Sequence, residues 1–253
     1  MTSIAPIVPD WSISADIVGA LMTVRSGGVS SGPYGDISGK RGLNLGLHVG
    51  DSPHNVMANR SLLLDDVPSE PAWLTQVHGT DVVDAAHVAN ASQADASIAT
   101  QRGTVCAIMT ADCLPVLLAD TCGRAVGAAH AGWRGLAGGV LEHTVERMRK
   151  AGGEELHAWL GPAIGPEQFE VGEDVLQAFT AKNAAAIDAF RPIVGRSGKY
   201  LADIYQLARQ ILAGQGVMHV TGGDFCTVTD AERFYSYRRD GFTGRMAALI
   251  WLR

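Results

Sequence analysis

Leu136, Val140, Leu141, Thr144, Val145 and Met148 recur at three- and four-residue intervals, while Glu142, Glu146, Arg147 and Lys150 fall largely on the opposite face. That spacing predicts a half-buried helix over Leu136–Ala151, stopped by Gly152 and Gly153. Other segments predict helices over His54–Leu64, Gly172–Ala181 and Asp203–Ala213. Short apolar runs between turn residues predict strands over Gly19–Arg25, Ala72–His78, Val105–Met109, Val116–Ala119, Ala125–His130, His157–Gly161, Phe225–Val228 and Arg245–Leu252. Strands and helices are interspersed without a strict βαβ rhythm, so the reading is one mixed α+β or α/β domain over residues 1–253. The turn-rich stretch Ser26–Gly42 lies between apolar segments and reads as a functional loop, not a linker.

Composition removes several classes. Hydrophobic residues make up 47% and charged residues 18% of the 253, against the ~25% charge usual in globular proteins. The chain therefore buries a core. Its net charge is −6, and no run of Lys or Arg exceeds the pair Arg238–Arg239, which argues against a nucleic-acid partner. The longest apolar run, Met246–Leu252, is too short to cross a membrane. The N-terminus MTSIAPIVPDW lacks the basic-then-apolar order of a leader. Four cysteines, Cys106, Cys113, Cys122 and Cys226, are too few for a disulfide framework. The expected compartment is the reducing cytoplasm, with thiols free or metal-bound.

Candidate chemistry sits at turns. Gln76-Val77-His78-Gly79 delivers a histidine at a predicted strand end. Thr110-Ala111-Asp112-Cys113-Leu114-Pro115 places an acid beside a thiol between two apolar strands. Such a thiol acts as thiolate, either nucleophile or metal ligand; the ordinary alternative is an inert buried cysteine, which Cys106 and Cys226 fit better. Ala128-Ala129-His130-Ala131-Gly132-Trp133-Arg134-Gly135 ends a small-residue strand on a histidine just before a helix. Free N–H groups there, with Arg134, suit an anion. The alternative is a packing turn with Trp133 in the core and Arg134 on the surface. Asn44, within Leu43–Asp51, and Arg60 are polar groups spaced among glycines and suit a small ligand, or local turn contacts. Trp159–Gly165 with Glu170 and Glu173, and Phe234–Asp240 with its paired tyrosines and arginines, are candidate pocket walls or plain surface. His78, Cys113 and His130 together make a three-ligand N/S set that suits zinc and leaves a position open. Their separations match no local zinc motif, so on the residues alone other groupings stay open.

In series, the segments GGVSSGPY, LNLGLHVGDSPHNVMANR, TQVHGTDVV, ADASIAT, TADCLPVLLAD, AAHAGWRGLAGGVL, LGPAIGP and FYSYRRDGFTGRMAALIWL resemble the YfiH or laccase-domain family. The resemblance runs from about Thr23 to Leu252. It implies an α+β fold, a β-sandwich-like core flanked by helices and reminiscent of some cysteine hydrolases. It implies zinc on His78, Cys113 and His130, with copper also suited to the set. Members are described as multicopper-independent purine nucleoside phosphorylases acting on adenosine, inosine, guanosine and methylthioadenosine, with adenosine deamination as a further activity.

On that reading the partners are a purine nucleoside and inorganic phosphate. Arg60 and Arg134 are the candidates to hold phosphate, Asn44 to orient substrate, and Asp112 to move a proton or simply cap its own loop. The H-x-E…P-C-x-x-C pattern of known zinc deaminases is absent. The rivals are a cysteine hydrolase or amidase with Cys113 as nucleophile, linked within the family to editing of cytoplasmic peptidoglycan precursors; a copper-dependent polyphenol oxidase; and a non-catalytic nucleoside-binding protein. The eight histidines include no H-x-H pair, which ranks the oxidase low. Nothing in the sequence sets the oligomeric state.

Overall fold

The structure, a computed structural model, describes residues 6–88 and 92–253; Met1–Ala5, part of the stretch read for a leader, lie outside it. In chain order the strands and α-helices are β1 (Val18–Met22), β2 (Ser26–Ser30), α1 (Pro53–Leu63), β3 (Val82–Asp84), β4 (Ala96–Ala99), β5 (Cys106–Thr110), β6 (Leu114–Asp120) and β7 (Val126–Ala131). Then come α2 (Trp133–Gly138), α3 (Val140–Lys150), β8 (Leu156–Leu160), β9 (Glu170–Gly172), α4 (Glu173–Thr180), β10 (Phe190–Pro192) and β11 (Lys199–Ala202). The chain closes with α5 (Ile204–Gly214), β12 (His219–Gly222), α6 (Tyr237–Asp240) and β13 (Met246–Leu252).

The period-two alternation of strand side chains builds the core. A six-stranded mixed sheet has the order β12-β8-β6-β7-β4-β3, and a three-stranded antiparallel sheet has the order β1-β13-β5. On β6, Leu114, Val116 and Leu118 face the helices α2 to α5, whereas Leu117 and Ala119 face the second sheet. On β13, Met246, Ala248 and Ile250 meet that inter-sheet core, while Ala247, Leu249 and Trp251 turn outward onto Leu43 and Leu45 and onto Leu63, the last residue of α1. The result is four layers, helices–sheet–sheet–helix, which is the α+β sandwich flanked by helices that the resemblance implied. β9, β10 and β11 form a separate small sheet. Among the described residues no helix is long and apolar enough to cross a membrane.

Three predicted elements are corrected. The helix over Leu136–Ala151 is two helices, broken at Gly139, whose φ of 115° is left-handed. Ala72–His78 is no strand; it makes only isolated bridges at Ala72 and Thr75. There the Gln76 side chain supplies the ladder contacts instead, donating to the Met109 carbonyl and accepting from the Met109 N–H, both at 2.8 Å. Phe225–Val228 likewise has a single bridge, Ala163 to Cys226, because Gly222 and Gly223 at φ 71° and 85° turn the chain off the sheet edge.

The segment Ser26–Gly42, expected as a loop throughout, opens with strand β2 and is anchored by one buried amide on α1. Asn59 accepts from the Val29 N–H at 2.8 Å and donates to Ser30 Oγ at 2.9 Å and the Asn44 carbonyl at 2.8 Å. Removing it strands several buried polar groups, each costing ~1–3 kcal/mol. Asn59→Ala is therefore expected to lower stability by on the order of 3 kcal/mol, read as a fall in the urea midpoint with an unchanged slope.

Candidate functional site

Register brings the chemistry to one end of the larger sheet. β6 starts where β7 ends: Leu114 pairs with Ala131 and Pro115 with His130. β4 starts there too, with Ala96 opposite Ala129. Cys113, His130 and Asp95 thus meet at one rim. Cys113 reaches it because its loop crosses from β5 in one sheet to β6 in the other. His78 arrives from the loop before β3. One ligand atom from each of His78, Cys113 and His130 lies within 4.8 Å of the others. His78 is exposed, Cys113 half-buried and His130 buried. The His78 and His130 rings pack edge-on at 4.8 Å, and Cys113 Sγ is 3.8 Å from His78 Nε2.

The group that organises this rim is Asp95, a fully buried carboxylate. Its Oδ1 pairs with His130 Nδ1 at 2.7 Å and accepts the His78 N–H at 2.9 Å. Its Oδ2 accepts the Gly79 N–H at 2.7 Å and the Val77 N–H at 3.1 Å. Those bonds hold His78 at φ 61°, a left-handed conformation that costs energy outside glycine. The bond from Nδ1 to Oδ1 also fixes the His130 ring orientation, so that Nε2 is directed at Cys113 and His78. Burial alone would raise the Asp95 carboxyl; the bonds from His130, Gly79 and Val77 outweigh it and hold the group below the usual carboxylate range.

Electrostatics favour a thiolate. Burial alone would push the Cys113 thiol up, but the charge and hydrogen bonding of His130, then of His78, bring it down to about 6. Burial alone would lower His130, but Cys113 and Asp95 bring it up to about 9. Two imidazoles and a thiolate within 4.8 Å, with a carboxylate behind one of the imidazoles, are a donor set that could hold a transition-metal ion. The backbone stays clear at the same spot. A Cβ on Gly132 would lie 3.0 Å from His78 Cδ2 and 3.1 Å from Cys113 Sγ. Gly132 has an ordinary φ of −60°, so it is close approach and not backbone conformation that excludes a side chain.

The other predicted residues take different places. Asn44 is fully buried; its Oδ1 accepts from the Gly46 and Arg245 N–H groups at 3.0 and 2.9 Å, and its Nδ2 donates to Asp51 at 3.0 Å. It shapes a loop and seats Arg245. Arg60 is turned inward: Nε and Nη2 donate to the Leu45 carbonyl at 3.0 and 2.9 Å, and the guanidinium stacks 4.1 Å over Trp73. Asp112, at φ 87°, accepts from the Thr227 hydroxyl at 2.5 Å and the Arg238 N–H at 2.6 Å. With each oxygen holding a partner, it braces the loop beside Cys113. Arg134 is exposed, 4.3 Å over the Trp133 ring; the α2 it opens is only six residues long.

Sequence reasoning missed Asp95 and Arg245. Arg245 is close enough for Cys113 and Asp112 to be the charges that most strongly support its cation, against burial that lowers its pKa. Two cavities lie elsewhere, one of about 300 Å³ lined by Glu142, Phe179 and Leu207 and one of about 330 Å³ around Cys226. Converging donor atoms, not cavity volume, mark this site.

Residues 19–253 match the family described as multi-copper polyphenol oxidoreductase laccase, and the chain belongs to that family. The Escherichia coli K12 protein named purine nucleoside phosphorylase YfiH is 53% identical over 249 residues, covering 97% of this chain and 98% of its own. The Pseudomonas aeruginosa purine nucleoside phosphorylase PA4543 is 51% identical over 246 residues, with the same coverage of 97% and 98%. The crystal structure of Neisseria meningitidis protein NMB0706 superposes with a TM-score of 0.91 at 49% identity, covering 98% of both chains.

Two outcomes test the site. In metal-free protein, alkylation of Cys113 by iodoacetamide should titrate near pH 6, with the rate flat above that and falling about tenfold per pH unit below. A midpoint near that of a free thiol contradicts the thiolate. Asp95→Asn should weaken zinc binding about 10–100-fold, measured by competition with a chromophoric chelator, because an amide cannot accept from all four donors.

Proposed function

We propose that the chain is a zinc-dependent purine nucleoside phosphorylase, soluble in the cytoplasm, that cleaves nucleosides such as adenosine, inosine, guanosine and methylthioadenosine with inorganic phosphate. The observation that carries this reading is the convergence of His78, Cys113 and His130 within 4.8 Å around a glycine, in a chain half-identical to proteins named for that activity. When bound, zinc supplies a Lewis acid for the phosphate or a sugar hydroxyl. The chain's own groups do the rest.

Phosphate attacks C1′ of the ribose as the purine leaves, through a transition state of oxocarbenium character. A dianion must be held against that centre. Arg245 is suited to holding it. Its Nη1 is tied to the Thr243 and Gly244 carbonyls at 3.1 and 3.0 Å, so the guanidinium is oriented while Nε and Nη2 remain for an anion. Exposed Arg134 at the rim supplies a second cation. Asp95 keeps His130 in one tautomer, and Asp112 holds the crossover loop so that Cys113 faces the rim. Adenosine deamination is a further activity of the same site under this proposal.

A second reading has its own observation. Without metal, Cys113, His130 and Asp95 form a thiolate–imidazolium–carboxylate series, the arrangement of a cysteine hydrolase. A nucleophile must stay free during turnover, whereas a ligand must not. Product analysis with adenosine, with and without phosphate, on protein of measured zinc content separates the two. The proposal expects adenine and ribose 1-phosphate only when phosphate is present, a loss of at least about 100-fold in Cys113→Ala, and protection of Cys113 from iodoacetamide by zinc. Absence of nucleoside turnover by zinc-loaded protein contradicts it and favours the hydrolase.

A further inference from the structure

A second group of metal-ligating side chains lies at the other end of the larger sheet. β8 and β12 are parallel neighbours, and His157 pairs in register with His219. Glu155 precedes β8. One ligand atom from each of Glu155, His157 and His219 lies within 4.8 Å of the others. His157 also pairs with Ala119 near the far end of β6, whereas Cys113 immediately precedes the first residue of that strand. Six residues of strand at about 3.3 Å each separate the two groups by roughly 20 Å, so this cluster is independent of the site described above.

What distinguishes it from an ordinary surface cluster is His157. The side chain is only 8% exposed, and its Nε2 is a buried nitrogen with no hydrogen-bond partner among the described residues. Such a group costs free energy unless something satisfies it. Glu155 Oε1 is 3.8 Å away, beyond hydrogen-bond reach. On the other side of the ring, Nδ1 lies 3.3 Å from Ser12 Oγ. An Nδ1–H donated to that hydroxyl leaves the Nε2 lone pair directed at the cluster. His130 has the same arrangement, with Asp95 in the place of Ser12. The His219 ring stacks on His157 at 4.3 Å, and both His219 and Glu155 are exposed, so their side chains are free to turn inward and close the remaining gap.

We propose that Glu155, His157 and His219 form a second cation site, for a divalent first-row transition ion that takes two imidazoles and a carboxylate. The donor set excludes magnesium and calcium, which take oxygen ligands, and suits zinc and its neighbours. The exposed side leaves further coordination positions to water. The ion satisfies His157 Nε2 and clamps the edge strand β12 to β8, with Ser12 tying in the N-terminal segment. Its role is structural, and it takes no part in nucleoside cleavage.

The test is calorimetric titration of metal-free protein with zinc chloride. Four proteins are compared: wild type, Cys113→Ala, His219→Ala and the Cys113→Ala/His219→Ala double variant, with Glu155→Gln as an independent second ligand change. Substituting the two exposed ligands spares buried His157 and so the fold. The proposal expects Cys113→Ala to keep one zinc that raises its Tm. It expects that event to weaken more than about tenfold in the double variant and in Cys113→Ala/Glu155→Gln. His219→Ala alone should retain wild-type nucleoside turnover. If Cys113→Ala binds no zinc, or binds it as tightly after either second substitution, the site does not exist. Because these readouts are uptake and Tm, they stand whether or not the chain proves to be a phosphorylase.

Discussion

A single buried carboxylate holds the functional rim together. Asp95 accepts from three consecutive backbone N–H groups and pairs with His130. Burying a charge is costly unless it is paired and hydrogen-bonded, and here the compensation is itself the site. The loop that satisfies Asp95 is the loop that presents His78, and the imidazole that satisfies it is His130. The same carboxylate, placed just before β4, therefore links the backbone register of the larger sheet to the geometry of two ligands. Cys113 is added by the crossover between sheets, and its thiolate completes the electrostatic set: carboxylate, imidazolium, thiolate.

The layered core was legible where side chains alternate or recur strongly. β6, β7, β13, α4 and α5 fall within a residue or two of their expected bounds, because continuous apolar runs and amphipathic faces encode burial directly. The short strands β3, β4, β9, β10, β11 and β12 were not legible. Strands of three or four residues, such as Ala96–Ala99 and His219–Gly222, carry too little pattern to stand out. They are fixed by their neighbours. The broken helix at Gly139 and the failed strand at Ala72–His78 share a cause: local glycine or side-chain hydrogen bonding overrode an apolar pattern.

The candidate site was legible only in part, for a physical reason. His78, Cys113 and His130 stand out because their chemistry is scarce and they sit at turns. Their convergence depends on strand register and on a sheet-to-sheet crossover, which no spacing reveals. Asn44, Arg60 and Asp112 were singled out as polar residues at turns, and the partners each takes in the fold are not readable from the sequence. The structure commits Asn44 to a loop, Arg60 to the Leu45 carbonyl and Asp112 to Thr227 and Arg238. Conversely, Asp95 sits inconspicuously in a run of small residues, and Arg245 opens an apolar strand. An acid opening a small-residue strand was the available signal for the first; nothing local marked the second.

The sheet thus carries a buried histidine at each end, each with an outer partner on Nδ1 and with neighbours able to share a cation on Nε2. One end is backed by a charged carboxylate and includes a thiolate; the other is backed by a hydroxyl and includes a surface glutamate. Under the two proposals, that difference in donors separates a reactive centre from a structural clasp. The most direct measurement is anomalous diffraction at the zinc absorption edge from crystals grown with zinc. The expected result is a peak about 2.0–2.3 Å from Cys113 Sγ and from one nitrogen of each of His78 and His130, with His130 still paired to Asp95. Density without such a peak, or a zinc that leaves Cys113 Sγ uncoordinated, would contradict the claim that these residues form a metal centre.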